Sequence, residues 1–423
     1  MKKIKICIIG LGYVGLPLAL EFGKKIETIG IEISKKRLSL LNKKIDPGKE
    51  IDSKKFIRSK YLKFSNSFNS ISNSDFVIVT IPTPINSINK PDLSGLKECV
   101  KKIAKFLKKK TIIIFESTFF PGLTDDICIP LLKKYSKLNF GKDFFVGYSP
   151  ERINPGDKKK LININKLVSA SHPIALKKIH DLYQKIIKAK VIKVNSIKVA
   201  ETAKVFENVQ RDTNIALANE LSMMTKKLNI NTIDVINAAA TKWNFVKYVP
   251  GLVGGHCISV DPYYLSYKSK IEGFEARIIN LARKINNGLV NFLIKEINKV
   301  VNKKFDKKLK ILILGLSYKE NVADFRNSKA IEIANKLKSK YSNVTLCDPL
   351  LTKSIIKKNN FTTGQIDKIK KKYDLVLLLV PHKIILSKIM KNINKFTNNN
   401  SVIFDIKSVL KSSNIAKRGI WML

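Results

Sequence analysis

The chain has 423 residues, with 79 Lys+Arg against 33 Asp+Glu and a formal net charge of +46. At roughly 100–200 residues per domain two or three domains are expected, and a hydrophobic fraction of 44% excludes a disordered chain. The longest apolar runs, such as 375–380, have the length of strands and are too short to cross a bilayer. Five widely spaced cysteines (7, 99, 128, 257 and 347) suggest neither a disulfide framework nor a metal motif, so a cytoplasmic globular protein is expected.

The basic charge raises a nucleic-acid or membrane-surface reading. Its composition argues against that reading, because 71 of the basic residues are Lys and only eight are Arg. Bidentate contacts to bases and phosphates rely on Arg. The Lys runs at 108–110, 158–160 and 370–372 are scattered, as on solvated faces, and no RNA-recognition or helix-turn-helix signature accompanies them.

Strand and helix signals alternate at first. A strand is expected at Lys5–Ile9, then a glycine turn at 10–15, a helix over 16–25 and a strand at 28–33. Further strands are expected at 76–81, 111–115 and 144–146, which implies a parallel sheet with helices on both faces. From residue 197 to about 228 there is no Gly or Pro. Apolar or small residues at 199, 203, 206, 209, 213, 217, 221 and 224 there predict one long helix. A loop rich in Pro and Gly at 243–262 precedes a second helical stretch over 274–301. The α/β rhythm then resumes with strands at 310–314, Val344–Cys347, 375–380 and 402–405, after a Lys-rich connector at 301–308. The expected architecture is α/β, with two Rossmann-like doubly wound domains, 1–196 and 305–423, joined by a central helical domain, 197–304.

Gly10-x-Gly12-x-x-Gly15 follows a strand and opens a helix, and Glu32 ends the next strand. Such glycines let a pyrophosphate approach a helix N-terminus, and the acid can bind ribose hydroxyls, favouring NAD over NADP. Arg37, five residues on, tempers that preference. The segment 248–260 carries no Lys, Arg, Asp or Glu and places Cys257 among Gly251, Gly254 and Gly255, four residues before Asp261. A thiol there is open to close approach by a substrate; the same pattern also suits a structural cysteine in a packed loop. His256 has no metal-ligand spacing to the other histidines (172, 180, 382), so it reads as non-catalytic and no metal site is expected. Lys204, Asn208 and Arg211 share one helix face, either to stabilise an oxyanion or simply to meet solvent. Loops holding Thr83, Glu116, Thr118, Glu151 and Arg152 follow strands of the first sheet, where ligands of open α/β sheets bind.

Seven segments in order carry a resemblance over nearly the whole chain. They are KICIIGLGYVGLP at 5–17, PTP at 82–84, ESTFFPG at 116–122, YSPERINPGD at 148–157, ETAKVFENVQRDTNIALANE at 201–220, GLVGGHCISVDPYYL at 251–265 and GLSYKENVADFRNSKA at 315–330. Together they resemble the nucleotide-sugar 6-dehydrogenases of the UDP-glucose/GDP-mannose dehydrogenase family. The resemblance implies an enzyme that oxidises C6 of a UDP-sugar twice with NAD, through a thiohemiacetal and a thioester on Cys257. It implies that Lys204 and Asn208 stabilise the oxyanion, and that Glu151, Thr118 and Asp261 handle the water. NAD would be held by Gly10, Gly12, Tyr13, Val14, Gly15, Glu32, Arg37, Thr83, Thr118 and Arg326. The UDP-sugar would be held by Glu151, Arg152, Lys204, Asn208, Arg211, Lys247, Tyr248, Gly254 and Lys319. A homodimer through the long helix is implied, with no nucleic-acid or membrane partner. Val260 stands where UDP-glucose dehydrogenases carry Lys. That points to the branch acting on UDP-N-acetylhexosamines for surface polysaccharides, with a UDP-glucose 6-dehydrogenase as the alternative.

Overall fold

The computed structural model describes residues 3–48, 51–153, 160–304, 309–351, 366–369, 371–411 and 420–423. Residues 154–157 of the 148–157 motif, 158 and 159 of one Lys run, 370 of another, 305–308 of the connector and Arg418 lie outside them. The chain divides into two compact units, one of residues 1–207 and 263–274, the other of 208–262 and 275–423.

The first unit is built on eight strands: β1 (Lys5–Ile9), β2 (Glu27–Ile31), β3 (Leu62–Ser65), β4 (Phe76–Val79), β5 (Ile112–Phe115), β6 (Phe145–Tyr148), β7 (Lys166–Ala170) and β8 (Val191–Lys193). Their order is β3-β2-β1-β4-β5-β6-β7-β8. β1 to β6 are parallel, whereas β7 runs antiparallel to β6 and parallel to β8. The strands are near-continuous apolar runs because helices cover both faces. Alternate residues of β1 show this: Ile6 and Ile8 join one buried cluster with Leu16 and Leu20, while Cys7 and Ile9 join another with Leu96 and Val100. The covering helices are α1 (Gly15–Phe22), α2 (Lys35–Asn42), α3 (Ser53–Arg58), α4 (Ser94–Lys105), α5 (Ile129–Ser136) and α6 (Pro173–Gln184). β3, β7 and β8 are additions to the expected strands. Each holds at least one Lys and pairs toward a sheet edge, so it lacks the continuous apolar run that reveals a central strand.

Helical periodicity over 197–228 corresponds to α7 (Ile197–Lys227), followed by α8 (Thr232–Ala239), α9 (Asp261–Ile271) and α10 (Arg277–Lys304). α8 and α9 were not anticipated; α9 begins inside the Pro/Gly-rich loop, with Pro262 at a first-turn position that proline tolerates.

The second unit carries β9 (Ile311–Leu314), β10 (Val344–Cys347), β11 (Tyr373–Leu378), β12 (Thr397–Asp405) and β13 (Ile420–Met422), in the all-parallel order β10-β9-β11-β12-β13. Ile311 and Ile313 pack against Leu293 and Ile297 of α10 and Ile333 of α11 (Lys329–Lys340), while Leu312 and Leu314 pack with Ile385 and Ile389. β12 begins five residues before the apolar run at 402–405, because Thr397 pairs with Tyr373 across a register shift. Polar residues at 398–401 concealed that extension. The architecture is therefore α/β, with two Rossmann-like domains and a central helical domain.

In both sheets a glycine ends the strand at which the order reverses. Gly10 follows β1 at φ +91°, and Gly315 follows β9 at φ +82°, a backbone region that favours glycine. Gly15 is needed for a different reason: a Cβ there would lie 2.1 Å from the Gly10 carbonyl oxygen and 2.3 Å from Thr80 Oγ1. Gly15→Ala is expected to cost about 1–3 kcal/mol through this overlap, read as a lower urea midpoint with an unchanged slope.

Candidate active site

The glycine turn of the first unit is fixed from two sides. Gly10 N–H donates to the Ile31 carbonyl at 3.0 Å, and Thr80 Oγ1 donates to the Gly10 carbonyl at 2.7 Å. A Cβ at Gly12 would meet nothing within 4 Å, so the turn keeps an open face of the kind a pyrophosphate requires. Tyr13 and Val14 complete the turn ahead of α1. Glu32, buried just past β2, accepts Ser34 N–H at 2.9 Å and lies 3.4 Å from the Arg37 guanidinium. Arg37 also donates twice to the Leu11 carbonyl, at 3.1 and 2.7 Å, so part of its donor set is committed to the turn itself. These residues fit a dinucleotide whose ribose meets a carboxylate.

Further along the carboxyl ends of the same strands, Thr83 Oγ1 donates to the Thr118 carbonyl at 2.7 Å, and Tyr264 hydroxyl donates to the Thr83 carbonyl. Glu151 is buried after β6. Its Oε1 accepts the N–H groups of Arg152 and Ile153 at 2.7 and 2.8 Å, and its Oε2 accepts Lys166 Nζ at 3.3 Å. Lys166 also donates to Glu116 Oε2 at 2.9 Å, and Tyr183 hydroxyl donates to Glu116 Oε1. Burial pushes the Glu116 carboxyl up, and Lys166 offsets this only in part. Burial acts to lower the Lys166 ammonium, but Glu116 and Glu151 outweigh it and hold the group above its ordinary value. Arg152 turns away from this cluster to Glu207, at 2.7 Å. Lys204, half-buried, lies on the part of α7 that belongs to this unit.

In the second unit Asn208 Nδ2 donates to Asp261 Oδ2 at 2.6 Å, and both residues are buried. Asp261 N–H in turn closes a turn onto the Cys257 carbonyl at 2.8 Å. The cysteine loop has no charged side chain except His256 when protonated, and is held by amides. Asn219 pairs with both the N–H and the carbonyl of Gly251, at 2.8 and 3.1 Å, and Asn327 Nδ2 donates to the Gly255 carbonyl at 3.0 Å. Gly255 has φ +87°, and a Cβ there would strike the Tyr318 ring at 2.7 Å; one at Gly254 would strike the Asn327 carbonyl at 2.6 Å. Of the five free thiols, Cys7, Cys99, Cys128 and Cys347 are buried, and only Cys257 is part-exposed. Burial pushes Cys99 and Cys347 up to about 12 and raises Cys7 and Cys128 well above the ordinary thiol range.

His256, which reads as non-catalytic from the sequence, and Asp324, which has no role there, flank the cysteine. His256 Nδ1 lies 3.3 Å from Asp324 Oδ2 and 3.0 Å from an Arg326 terminal nitrogen, and its side chain also hydrogen-bonds Cys257. Bonds to Asp324 first, then Cys257, raise the imidazole to about 9. Burial pushes Asp324 up, but His256 and Arg326 outweigh it and hold the carboxyl far below the usual range. Arg326, expected beside the cofactor, here forks onto Asp324 at 2.6–3.1 Å. Among the expected sugar-nucleotide residues, Arg211 is half-buried on α7, Lys247 is exposed and donates to Asn237 at 2.7 Å, Tyr248 is half-buried, and Lys319 follows the Gly315 turn. Beside that turn, Asp348 accepts the N–H groups of Leu316 and Ser317 at 2.6 and 3.1 Å and faces His382 Nε2 at 3.1 Å. Both Asp348 and His382 are buried and lay in no recognised motif.

A strand, glycine turn and helix followed by an acid past the next strand is the arrangement of a dinucleotide-binding Rossmann domain, the class of protein the first unit defines. Comparison with known proteins places the rest. Residues 4–187 match the NAD binding domain of the UDP-glucose/GDP-mannose dehydrogenase family, 198–288 its central domain and 312–412 its UDP binding domain. The chain is 41% identical over 415 residues to a UDP-N-acetyl-D-glucosamine 6-dehydrogenase of Salmonella typhi, covering 97% of each chain. It is 42% identical over 424 residues to Protein CapL of Staphylococcus aureus, covering 99% of each. The solved structure of a UDP-D-ManNAc dehydrogenase from Pyrococcus horikoshii superposes with a TM-score of 0.89 at 27% identity, covering 99% of each chain. The chain belongs to the UDP-glucose/GDP-mannose dehydrogenase family. It is an NAD-dependent nucleotide-sugar dehydrogenase.

The raised His256 value has a testable sign. The Asp324–His256 interaction contributes stability in full below about pH 6.5, where the unfolded imidazole is also charged, and loses it as pH rises through about 9. The difference in Tm between the wild type and His256→Gln is therefore expected to be largest near pH 6 and to shrink by pH 9.5, measured by calorimetry across that range.

Proposed function

We propose that the protein oxidises C6 of a UDP-N-acetylhexosamine to the uronic acid in two steps, with Cys257 as the covalent nucleophile. The observation that carries this reading is that Cys257 alone among the five thiols is part-exposed, in a loop free of Lys, Arg, Asp and Glu. The relatives support the N-acetylhexosamine class, as does Val260 in the position before Asp261. Bound NAD supplies a hydride acceptor for each oxidation. Lys204 and Asn208 stabilise charge on the C6 oxygen, and Asp261 fixes the amide of Asn208 by accepting its N–H at 2.6 Å. The thiolate of Cys257 adds to the C6 aldehyde to give a thiohemiacetal, which loses a hydride and becomes a thioester. Water then bonds C6 as the C6–S bond breaks, releasing the carboxylate, the thiol and one proton. Glu151 takes the proton from that water, with Thr118 in the same step. Arg152, Arg211, Lys247, Tyr248, Gly254 and Lys319 serve the sugar nucleotide, and Arg326 serves the cofactor side.

We extend the proposal to a homodimer in the cytoplasm that supplies uronic acid for surface polysaccharide. Val199, Phe206, Leu217 and Met224 of α7 are exposed at spacings of seven, eleven and seven residues, one face of a helix. No helix among the described residues is long and apolar enough to cross a membrane.

Incubation with UDP-N-acetylglucosamine, UDP-N-acetylgalactosamine, UDP-N-acetylmannosamine and UDP-glucose should yield two NADH per sugar consumed with an N-acetylhexosamine. A ratio of one contradicts the two-step course, and preference for UDP-glucose favours the alternative substrate. Cys257→Ser should abolish uronate formation by at least about 10³-fold while NAD titrates as in the wild type. Leu217→Glu should shift the sedimenting species from dimer to monomer; an unchanged dimer removes this face of α7 from the interface.

A further inference from the structure

We infer that Lys166 is a positioning residue of the water step, its ammonium held between Glu151 and Glu116 to aim the Glu151 carboxylate and match the charge beside it. The inference rests on the reading that Glu151 takes the proton from water. It goes beyond that reading by giving roles to Lys166, which no motif of the chain marks, and to Glu116, which opens the segment at 116–122.

All the members of this cluster are buried: Glu116 is 2% exposed, Lys166 3%, Glu151 7% and Tyr183 0%. Each comes from a different element at one end of the first sheet: Glu116 from the end of β5, Glu151 from beyond β6, Lys166 from the start of β7 and Tyr183 from α6. β7 is the strand that reverses direction against β6, and that reversal brings the start of the β7 segment into the cluster with Glu151. A buried ammonium is costly unless its charge is matched, and two carboxylates within 3.3 Å match it. The ammonium nitrogen also lies over the Tyr183 ring, 5.3 Å from its centroid. Arg152, the nearest cation in sequence to Glu151, is spent on Glu207.

The geometry leaves Glu151 in a defined state. A carboxylate offers about four acceptor positions, and three are filled by Arg152 N–H, Ile153 N–H and Lys166 Nζ. Among the described residues none fills the fourth, which suits it to a water. Two carboxylates and one ammonium sum to a single negative charge, so one proton taken from water brings the cluster to neutrality rather than to a net buried charge. Glu116 carries the other half of the balance. It competes with Glu151 for Lys166, and Tyr183 donates to it from the far side. Removing Lys166 or removing the Glu116 charge therefore changes the charge beside Glu151 in opposite directions.

The test is the rate of uronate release in rapid-quench single turnovers of the full-length enzyme with UDP-N-acetylglucosamine and NAD, followed against pH. Lys166→Met should move the acid limb of that rate to higher pH by about 1–3 units. Glu116→Gln, which keeps shape and the Tyr183 contact, should move the limb to lower pH and remains informative if Lys166→Met does not fold. Lys166→Arg should return the limb close to the wild-type position. Slower release with an unmoved limb in both Lys166→Met and Glu116→Gln would reduce Lys166 to a structural role and overturn the inference. Glu151→Gln separates the two levels: retention of the wild-type limb there overturns the reading of Glu151 itself. Loss of the limb in Glu151→Gln with unmoved limbs in the other variants overturns only the role of Lys166.

Discussion

Cys257 is part-exposed in a loop of glycines that has little bulk with which to hold itself. Here the restraint comes from amides. Asn219 binds both backbone groups of Gly251, and Asn286 accepts from Asn219 at 2.8 Å while donating to Asp212. Asp212 is in turn paired with Arg283 at 2.7 Å. Each polar group in that chain is buried, so leaving one unmatched would cost more than the bond itself contributes. The loop is thus anchored at its first glycine by α7 and α10, and at Gly255 by Asn327. Its thiol is left part-exposed, with His256, bonded to Asp324, as the charged side chain of the loop.

The first unit solves the complementary problem of holding charge without water. Its glycine turn is kept empty of side chains by Gly12 and Gly15, and Glu32 waits beyond β2. Glu116, Lys166 and Glu151 lie fully inside the protein and balance one another. Glu201, also buried, accepts from Gly122 N–H, Thr124 N–H and Thr124 Oγ1 at 2.6–3.0 Å and is pushed by burial up to about 7. Strand ends of a parallel sheet concentrate such groups because the backbone there leaves the ladder and its loops must find other partners.

What could be read from the sequence follows from where information is local. The glycine turn, the helix over 197–228 and the uncharged loop around Cys257 depend on neighbours in the chain, and periodicity and composition expose them. Edge strands such as β8, with three residues, carry too little pattern to stand out. Lys166 could not be distinguished among 71 lysines, since what sets it apart is burial between two acids. His256 was set aside for lacking a metal partner, while its actual partner, Asp324, lies 68 residues away in another motif. Asp348 and His382 meet only because β10 and β11 flank β9. In each case the missing signal is a contact distant in sequence.

The central claim is that Cys257 carries the sugar between the two oxidations and loses it to water. It is tested most directly by acid-quenching Glu151→Gln during turnover with UDP-N-acetylglucosamine and NAD, then weighing the peptide that contains Cys257. The account requires that peptide to gain the mass of the UDP-linked uronyl group, in an adduct removed by hydroxylamine. An unmodified Cys257 peptide in an enzyme that is reducing NAD would contradict it.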